Sequence, residues 1–301
     1  MGYKRNWVPY HTDNEKTERQ WNLEGYEVKP WYKKKGEERW TGHQVAIYFS
    51  DKQVRPSDTI KKRVRAKARK LAKVRGERCE MERMAREGRR EENKNSWQTL
   101  LDESKKVIVF DTETTGLDEY DNYILSLSWQ VLDNHLKTID EQTRYFENPL
   151  SERKCLEAID INGLTNERLR ELGTTDKREA LLEFKEAVES YGLAVAHNAN
   201  FDYIFMCSEY QRLDIDNSFL QKLDWFDTMT EMTNFCEIDG GPRRYKWPRL
   251  SELAEHLDID TKDINYHQSS SDVEVTVRCF RKIVENGLAK VPKSRSKKHN
   301  V

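Results

Sequence analysis

Residues 107–116 read Val-Ile-Val-Phe-Asp-Thr-Glu-Thr-Thr-Gly, and this stretch decides the fold of the larger part of the chain. Four consecutive apolar residues predict a short strand buried on both faces, and Thr-Thr-Gly is a turn signal. Side chains alternate along a strand, so Asp111 and Glu113 point to the same side near its end. Two ionised carboxylates this close repel each other, and a divalent ion such as Mg²⁺ prefers oxygen ligands. A metal site and an ordinary acidic turn both fit this stretch.

The composition indicates one good-sized globular domain joined to a smaller, more polar part. The chain has 301 residues, of which 35% are charged and 36% hydrophobic. This is too polar for a single large core. Its five cysteines are scattered without a Cys-x-x-Cys pair, which argues against a disulfide framework or a zinc site and predicts reduced thiols. No apolar run approaches membrane-spanning length, and the N-terminus lacks a secretory stretch, so we expect a soluble, cytoplasmic protein without a membrane partner.

Residues 1–56 are rich in aromatic and basic side chains and predict a small, mostly β module. Half of the 8 tryptophans lie here, among many lysines. Residues 44–49 alternate in hydrophobicity, and we expect residues 26–29 to pair with them across a Gly/Lys-rich turn. One interpretation is a single-stranded nucleic-acid surface, because bases stack on rings while cations contact phosphates. The other is that so small a module needs its Trp and Tyr for a core.

Residues 57–96 predict a long charged helix with Ser57 or Asp58 as its N-cap. Nine basic residues and no acidic one lie between Lys61 and Arg75, after which glutamates mix with arginines. The first half is interpreted either as an arm that faces phosphates or as a solvated spacer, and residues 57–95 are a candidate surface for a protein partner. Its few apolar residues form a narrow heptad stripe of coiled-coil type, Val64, Leu71, Val74, Met81 and Ala85.

Residues 97–290 alternate between strand and helix patterns, and residues 291–301 predict a disordered basic tail with affinity for phosphates. Two strands joined by an Asp-Asn turn follow the first strand as a β-meander, and helices come after them. This order predicts an α/β domain with a mixed sheet flanked by helices. The predicted strands are residues 107–111, 124–132, 142–146, 193–196 and 225–227, and the helices are residues 151–161, 176–191, 200–212, 250–257 and 271–285.

Two further carboxylates are expected near the first pair. His-Asn-Ala-Asn-Phe-Asp at residues 197–202 begins a helix where a strand ends, so Asp202 lies in the first helical turn. His-Gln-Ser-Ser-Ser-Asp at residues 267–272 opens the last helix. If both residues lay on one helix, five positions apart, the side chains of His267 and Asp272 would point about 140° apart. We therefore expect His267 on the approach loop, with the serines capping the helix, and acids from three segments facing one site.

These three segments resemble the sequence motifs of the DEDDh exonucleases, the superfamily of the proofreading epsilon subunit of bacterial DNA polymerase III. Asp-x-Glu-Thr-Thr-Gly matches the first motif, His-Asn-x-x-Phe-Asp the second and His-x4-Asp the third, in the right order between about Lys105 and Gly287. Asn162-Gly163-Leu164-Thr165 is similar to the family's His-Gly-Ile-Thr turn. The chain departs from the family pattern at two positions. It has Asn162 in place of the His of that turn, and Ser269 where the family often has Ala. The sister class, which has Tyr in the third motif, would need Tyr at position 268, where this chain has Gln.

The resemblance implies a ribonuclease-H-like fold with a mixed five-stranded sheet and a 3′-to-5′ exonuclease that uses two divalent ions, Mg²⁺ or Mn²⁺. It implies that His267 acts as general base. The implied metal ligands are Asp111, Glu113, Asp202 and Asp272. The implied substrate contacts are Thr114 and Thr115 through backbone donors and Leu117 and Phe201 by packing on bases, with Asn198 as a structural or substrate contact.

The partner implied by the resemblance is single-stranded nucleic acid with a 3′ end. The complete first motif resembles the proofreading branch and favours DNA over RNA. Two alternatives stay open, since the motifs do not separate them. One is an RNA 3′-end-trimming exonuclease of the same mechanism, and the other is a nucleic-acid-binding adaptor with an inactive exonuclease fold.

Overall fold

The apolar stretch at residues 107–110 lies within a nine-residue strand in the computed structural model of the chain. The structure describes residues 15–40, 45–104, 106–189, 192–242 and 244–292. Trp7, Gln44 and the predicted tail from Lys293 onward lie outside them. The chain forms two compact units, Met1–Ala85 and Arg86–Val301. The four-part division at residues 56, 96 and 290 stays a prediction.

The first unit contains short strands around a small core. Four buried side chains make up this core, Trp21, Val28, Phe49 and Val54. The indole Nε1 of Trp21 donates to the carbonyl oxygen of Phe49 at 2.8 Å, so this ring is structural, whereas Trp31 is 63% exposed. The elements are β1 (Glu15–Thr17), α1 (Glu18–Leu23), β2 (Tyr26–Val28), β3 (Glu37–Trp40), β4 (Val45–Ser50) and β5 (Val54–Pro56).

The predicted pairing of residues 26–29 with residues 44–49 is wrong. Strand β4 pairs with β1 and β3, whereas β2 pairs with β5, all antiparallel. The β2–β5 register places Val28 opposite Val54. Both side chains are buried, so this pairing closes the core with two apolar residues, which strand alternation alone could not reveal.

The predicted long helix is present as α2 (Asp58–Ser104), with 47 residues. The hydroxyl of Ser57 accepts the backbone N–H of Ile60 at 3.4 Å, in the manner of an N-cap. Every side chain from Arg65 to Glu92 is exposed. The helix becomes buried only at its end, at Trp97 and Leu101.

The second unit follows the predicted order of strands and helices. Three short helices were not predicted, and the helix expected from residue 151 begins as a single 3₁₀ turn, Glu152–Lys154. The elements are β6 (Lys106–Thr114), β7 (Ile124–Asp133), β8 (Thr138–Tyr145), α3 (Leu156–Asn162), α4 (Asn166–Leu172), α5 (Lys177–Glu189), β9 (Leu193–Ala196), α6 (Ala199–Arg212), α7 (Ser218–Lys222), β10 (Asp224–Asp227), α8 (Thr228–Cys236), α9 (Leu250–His256) and α10 (Ser269–Glu285). The helices missed from the sequence are α4, α7 and α8.

The mixed five-stranded sheet has the strand order β10-β9-β6-β7-β8, with β6 in the centre. Strands β6, β9 and β10 are parallel, and β6, β7 and β8 form the predicted antiparallel meander. Alternate side chains of β6 enter different cores. Val107 and Val109 pack with α8, α9 and α10, while Ile108 and Phe110 pack with α5, α6 and α7. The sheet is therefore covered by helices on both faces, and β6 ends between them.

The last turns of α2 belong to the core of the second unit. The Trp97 ring is fully buried, with its centroid 5.1 Å from that of Phe226 and 5.4 Å from that of Phe280. Its Nε1 donates to the carbonyl oxygen of Ala289 at 2.9 Å.

None of the helices within the described residues is both long and apolar enough to cross a membrane.

Candidate active site

Three carboxylates from two elements meet near the C-terminal end of β6. Asp111 and Glu113 point to one face of the strand, and Asp272 lies in the first turn of α10. One carboxylate oxygen from each of the three lies within 4.8 Å of the others. All three residues are half-buried. Carboxylate oxygens at this spacing can share one hard divalent cation.

The fourth predicted acid, Asp202, is held separately in the first turn of α6. It is almost fully buried. Its Oδ1 accepts the backbone N–H of Thr112 at 3.0 Å and the Thr112 hydroxyl at 2.8 Å. The charge of Asp202 is, after burial, the largest contribution that raises the pKa of Asp111. Asp202 therefore lies beside the three-carboxylate group and interacts with it electrostatically.

All four acids are unfavourable in the charged state without a cation. Burial, followed by the charges of Asp202, Glu113 and Asp272, raises the pKa of Asp111 well above its usual range. Burial and the charge of Asp272 raise the pKa of Glu113 to about 8. Burial raises the pKa of Asp202 to about 7 and that of Asp272 to about 6. A divalent cation would reverse this cost, because it favours the charged form of every neighbouring acid.

One atom of the site has an unused lone-pair position. Oδ1 of Asp272 is buried and has no hydrogen-bond partner among the described residues. Its other oxygen, Oδ2, accepts the backbone N–H of His267 at 3.1 Å. Buried oxygens are normally satisfied, so a buried, unpartnered carboxylate oxygen beside two other carboxylates fits a metal ligand.

His267 lies on the loop before α10, as the sequence predicted. Its backbone is left-handed, with φ of 66°, and its side chain is exposed. The expected role of the serines is wrong, because α10 begins at Ser269 and its N-cap, Gln268, makes no side-chain capping bond. The backbone bond from His267 to Asp272 closes the start of the helix instead.

Ser269 anchors α10 to the sheet. Its hydroxyl is buried and shares hydrogen bonds with the hydroxyls of Ser126, at 2.9 Å, and Ser128, at 2.7 Å. In the β6–β7 register, Ser128 lies opposite Asp111 and Ser126 opposite Glu113. The three serines therefore place the first turn of α10 over the acidic pair. Sequence reasoning treated Ser269 as a departure from the family and as part of a helix cap, although Ser-x-Ser in an apolar strand was a signal.

Asn162 is a site residue that sequence reasoning did not include. It ends α3, is buried, and donates its Nδ2 to the carbonyl oxygen of Thr114 at 3.2 Å. A hydrogen bond from its side chain to Glu113 partly offsets the rise in the pKa of that carboxyl. Asn162, Glu113 and His267 line one cavity of about 240 Å³. The similarity to a family turn drew attention to Asn162, but nothing local showed where its side chain lies.

The predicted substrate contacts of the first motif differ in accessibility. Thr114 and Thr115 are buried, whereas Leu117 is 84% exposed. The backbone N–H of Thr115 donates to the carbonyl oxygen of Tyr123 at 2.9 Å. This donor is already bonded, so its predicted contact with a 3′ end would require that bond to be exchanged.

The second motif supplies structural bonds around Asp202. Asn198 is exposed, has a left-handed backbone, and donates its N–H to Oδ1 of Asp227 at 3.0 Å. Asp227 also caps α8. Phe201 is half-buried, with its ring centroid 4.7 Å from that of Phe205.

His197 connects three segments behind the site. Its Nδ1 lies 2.9 Å from the hydroxyl of Thr228, and its Nε2 lies 3.1 Å from the carbonyl oxygen of Pro248. Burial lowers its pKa to about 4, so the imidazole is neutral at physiological pH and acts as a structural link.

The fold and the site define an exonuclease domain. A family model described as RNase_T, an exonuclease, matches residues 108–280, which is more than half of the chain. The chain belongs to this exonuclease family, and the resemblance to DEDDh enzymes is confirmed.

The chain is similar to DNA polymerase III PolC-type of Staphylococcus aureus. It is 30% identical to the protein of strain bovine RF122 / ET3-1 over 178 residues, 59% of this chain and 11% of that protein. It is also 30% identical to the protein of strain MW2 over 179 residues, again 59% and 11%. The chain thus spans only about a tenth of the length of these relatives.

Solved structures share the fold. Escherichia coli exonuclease I in complex with a dA16 oligonucleotide has a TM-score of 0.50 and 15% identity, covering 60% of this chain and 41% of that chain. Its complex with a dT13 oligonucleotide gives the same four values. At this identity the likeness supports the ribonuclease-H-like architecture alone.

Proposed function

We propose that this protein is a metal-dependent 3′-to-5′ exonuclease that shortens single-stranded nucleic acid, with DNA preferred over RNA. The convergence of Asp111, Glu113 and Asp272, with a buried and unpartnered oxygen on Asp272, carries this proposal. The relatives named as DNA polymerase III support the preference for DNA.

The donor set fits two hard divalent cations, Mg²⁺ or Mn²⁺. Only carboxylate oxygens are offered, which is the ligand type these ions prefer. When bound, a pair of such ions activates the attacking water and stabilises charge on the leaving 3′ oxygen. The residues that would hold them are Asp111, Glu113, Asp202 and Asp272.

His267 would act as the general base. Imidazole groups exchange protons near neutral pH, and a base must come within hydrogen-bond distance of the water from which it takes the proton. The backbone bond from His267 to Asp272 fixes the loop beside the acids. The exposed side chain is free to turn toward a bound strand end.

The substrate contacts proposed for the first two motifs are ranked by exposure. Leu117 is the most accessible apolar side chain near the acids and would pack on a terminal base. Phe201 and Asn198 would contact the strand at the start of α6. Thr114 and Thr115 would shape the turn that receives the 3′ end.

The test is digestion of 5′-labelled single strands of DNA and RNA with the same sequence, with Mg²⁺, with Mn²⁺ and with a chelator. We expect a ladder that shortens from the 3′ end, faster on DNA, and lost with the chelator. Asp111→Asn should lower the rate by about 1,000-fold or more, and His267→Ala by about 100-fold or more, the range of general acid-base catalysis. Glu157→Gln, which changes an exposed acid on α3, is the matched control and should keep full activity.

Two outcomes would overturn parts of this proposal. Equal or faster digestion of RNA would make the protein an RNA-trimming enzyme of the same chemistry. A folded protein that binds strands but cleaves neither with either ion would be a binding adaptor.

A further inference from the structure

The first half of α2 is an exposed run of positive charge. We call residues 61–75 the basic arm. It carries nine lysines and arginines and no acidic residue, and all nine side chains are exposed. At 1.5 Å per residue the arm spans about 21 Å, so its positive charges average about 2.6 Å apart along the axis, between the roughly 1.7 Å of a nucleic-acid duplex and the roughly 3.4 Å of a single strand.

The charges of the basic arm are almost entirely uncompensated within the described residues. One ion pair involves the arm there, between Lys73 Nζ and Glu77 Oε1 at 3.8 Å. Cations three or four residues apart on a helix repel each other and weaken it. Seven such pairs lie within the arm: 61/65, 63/67, 65/69 and 69/73 at a spacing of four, and 62/65, 67/70 and 70/73 at a spacing of three. A linear polyanion along the helix would remove this repulsion.

The continuation of the same helix shows that exposure to solvent alone does not explain the excess of positive charge in the arm. Residues 76–92 are equally exposed, yet they carry six acidic and five basic residues. These charges are paired along the helix, for example Arg78 with Glu82 at 2.8 Å and Arg83 with Glu80 at 2.6 Å. A solvated spacer in this chain is therefore charge-balanced, and the basic arm departs from that pattern.

A second copy of the chain is a poor partner for the arm. In the heptad register that starts at Val64, the core positions include Lys67, Arg78 and Gly88, which interrupt a coiled-coil seam. The arm of another copy would bring nine more positive charges. Residues 76–92 have an excess of only one acid, too few to meet nine cations.

We propose that the basic arm binds the phosphate backbone of nucleic acid, without sequence preference, as a surface separate from the active site. Nucleic acid is the polyanion that the proposed exonuclease would meet, and to that extent this inference rests on the proposed function. Lysines and arginines that contact phosphates release counterions, so binding depends steeply on salt.

The test uses the full chain with Asp111→Asn, in chelator, so that no strand is cleaved. Binding of a fluorescent single strand of 30 nucleotides and of a duplex of 30 base pairs is measured by anisotropy at three salt concentrations between 50 and 200 mM. The arm variant combines Lys62→Gln, Arg65→Gln, Lys67→Gln and Arg69→Gln, since glutamine keeps helix propensity. The control variant removes four cations from the balanced half, Arg78→Gln, Arg83→Gln, Arg86→Gln and Arg89→Gln.

The arm variant should bind at least 10-fold more weakly at 100 mM salt, and the slope of log affinity against log salt should fall by about 3, as expected for four lost phosphate contacts. The control variant, with the same net charge, should change less than about 3-fold. Comparison of the two ligands identifies whether single strands or duplexes are held. Circular dichroism checks that both variants keep their helix.

Unchanged affinity and slope in the arm variant would overturn the proposal. So would equal losses in both variants, which would indicate a response to net charge alone. Binding of anionic lipid vesicles, without binding of either nucleic acid, would assign the arm to a membrane surface and also overturn it. Digestion of an 8-nucleotide strand by the arm variant without Asp111→Asn tests the nuclease separately, because the arm substitutions leave every proposed active-site residue unchanged.

Discussion

Thr112 donates both its backbone N–H and its hydroxyl to Oδ1 of Asp202, at 3.0 and 2.8 Å. Thr112 stands between Asp111 and Glu113 on β6, and its side chain points to the opposite face of the strand. One three-residue segment therefore contributes two acids to the site and positions a third from α6. Both hydrogen bonds favour the ionised carboxylate and partly offset the effect of burial on the pKa of Asp202.

Removal of the Thr112 hydroxyl should make Asp202 harder to ionise. Thr112→Val keeps the backbone donor and the volume, and we expect the pKa of Asp202 to rise further because a bond to the charged form is lost. The acid limb of the pH profile of kcat/KM should move to higher pH, and the rate at pH 7 should fall by about 10-fold, or about 1.4 kcal/mol. Thr112→Ser, which keeps the hydroxyl, is the control. An unmoved acid limb in Thr112→Val would contradict this role.

The four acids should make the metal-free protein less stable as pH rises. Burial raises the pKa of Glu113 to about 8 and that of Asp272 to about 6, whereas carboxyl groups in an unfolded chain titrate near 4. The folded state therefore binds more protons than the unfolded state between about pH 4 and 8, and the free energy of unfolding falls through this window. In chelator, we expect Tm to be at least about 5 °C lower at pH 8 than at pH 5.5.

A paired variant separates these acids from the other titrating groups. Asp111→Asn with Glu113→Gln should show a smaller fall of Tm over the same range, because the amides carry no charge. Mg²⁺ should raise the Tm of the natural chain more at pH 8 than at pH 5.5, since protons compete for the same oxygens. Equal pH dependence in both proteins would mean that other groups cause the loss.

Ser269 should matter through its two hydroxyl partners. Ser269→Ala leaves Ser126 and Ser128 without a shared bond, and we expect the free energy of unfolding to fall by about 1–2 kcal/mol and kcat to fall several-fold as α10 loosens. Replacing all three serines by alanine should recover part of the stability, because apolar groups then face each other. Urea unfolding measures both variants. Ser271→Ala, two residues further along α10, should stay within about 0.5 kcal/mol, and an equal loss there would contradict the role of Ser269 as an anchor.

Glu209 should be the most costly carboxylate to neutralise outside the site. It is almost fully buried, accepts the backbone N–H of Ile124 at 3.0 Å, and pairs with Lys177 at 3.2 Å and Arg212 at 3.1 Å. Glu209→Gln leaves two largely enclosed cations without a counter-charge, so we expect a loss of about 3 kcal/mol in urea unfolding. Glu183→Gln breaks a more exposed pair with Arg144 and should cost less than about 1 kcal/mol. Similar losses in the two variants would contradict the importance of burial.

The parts of the fold that were predicted correctly depend on local patterns. The apolar run at residues 107–110 identified the central strand, and the Asp133-Asn134 turn identified the meander, because both signals lie within a few residues. The acids could be grouped because a strand end and two helix starts limit where a side chain can lie.

The parts that were missed depend on contacts distant in sequence. The β2–β5 pairing joins segments about 28 residues apart, and its register is chosen by burial of Val28 against Val54. Asn162 reaches Thr114 across 48 residues, and only the folding of the chain between them brings its amide to Glu113. Ser269 was visible as an unusual residue, but its partners Ser126 and Ser128 lie more than 140 positions away.

Trp97, whose buried ring donates a hydrogen bond to Ala289, and Ala289 itself lie outside the residues that the family pattern covers. Trp97 precedes that segment and Ala289 follows it, yet each completes the core beneath β6. The unit that must fold together is therefore larger than the segment that carries the chemistry. A fragment limited to residues 108–280 would contain every acid of the site. It would lack Trp97, and the core beneath β6 would then have a cavity the size of an indole ring.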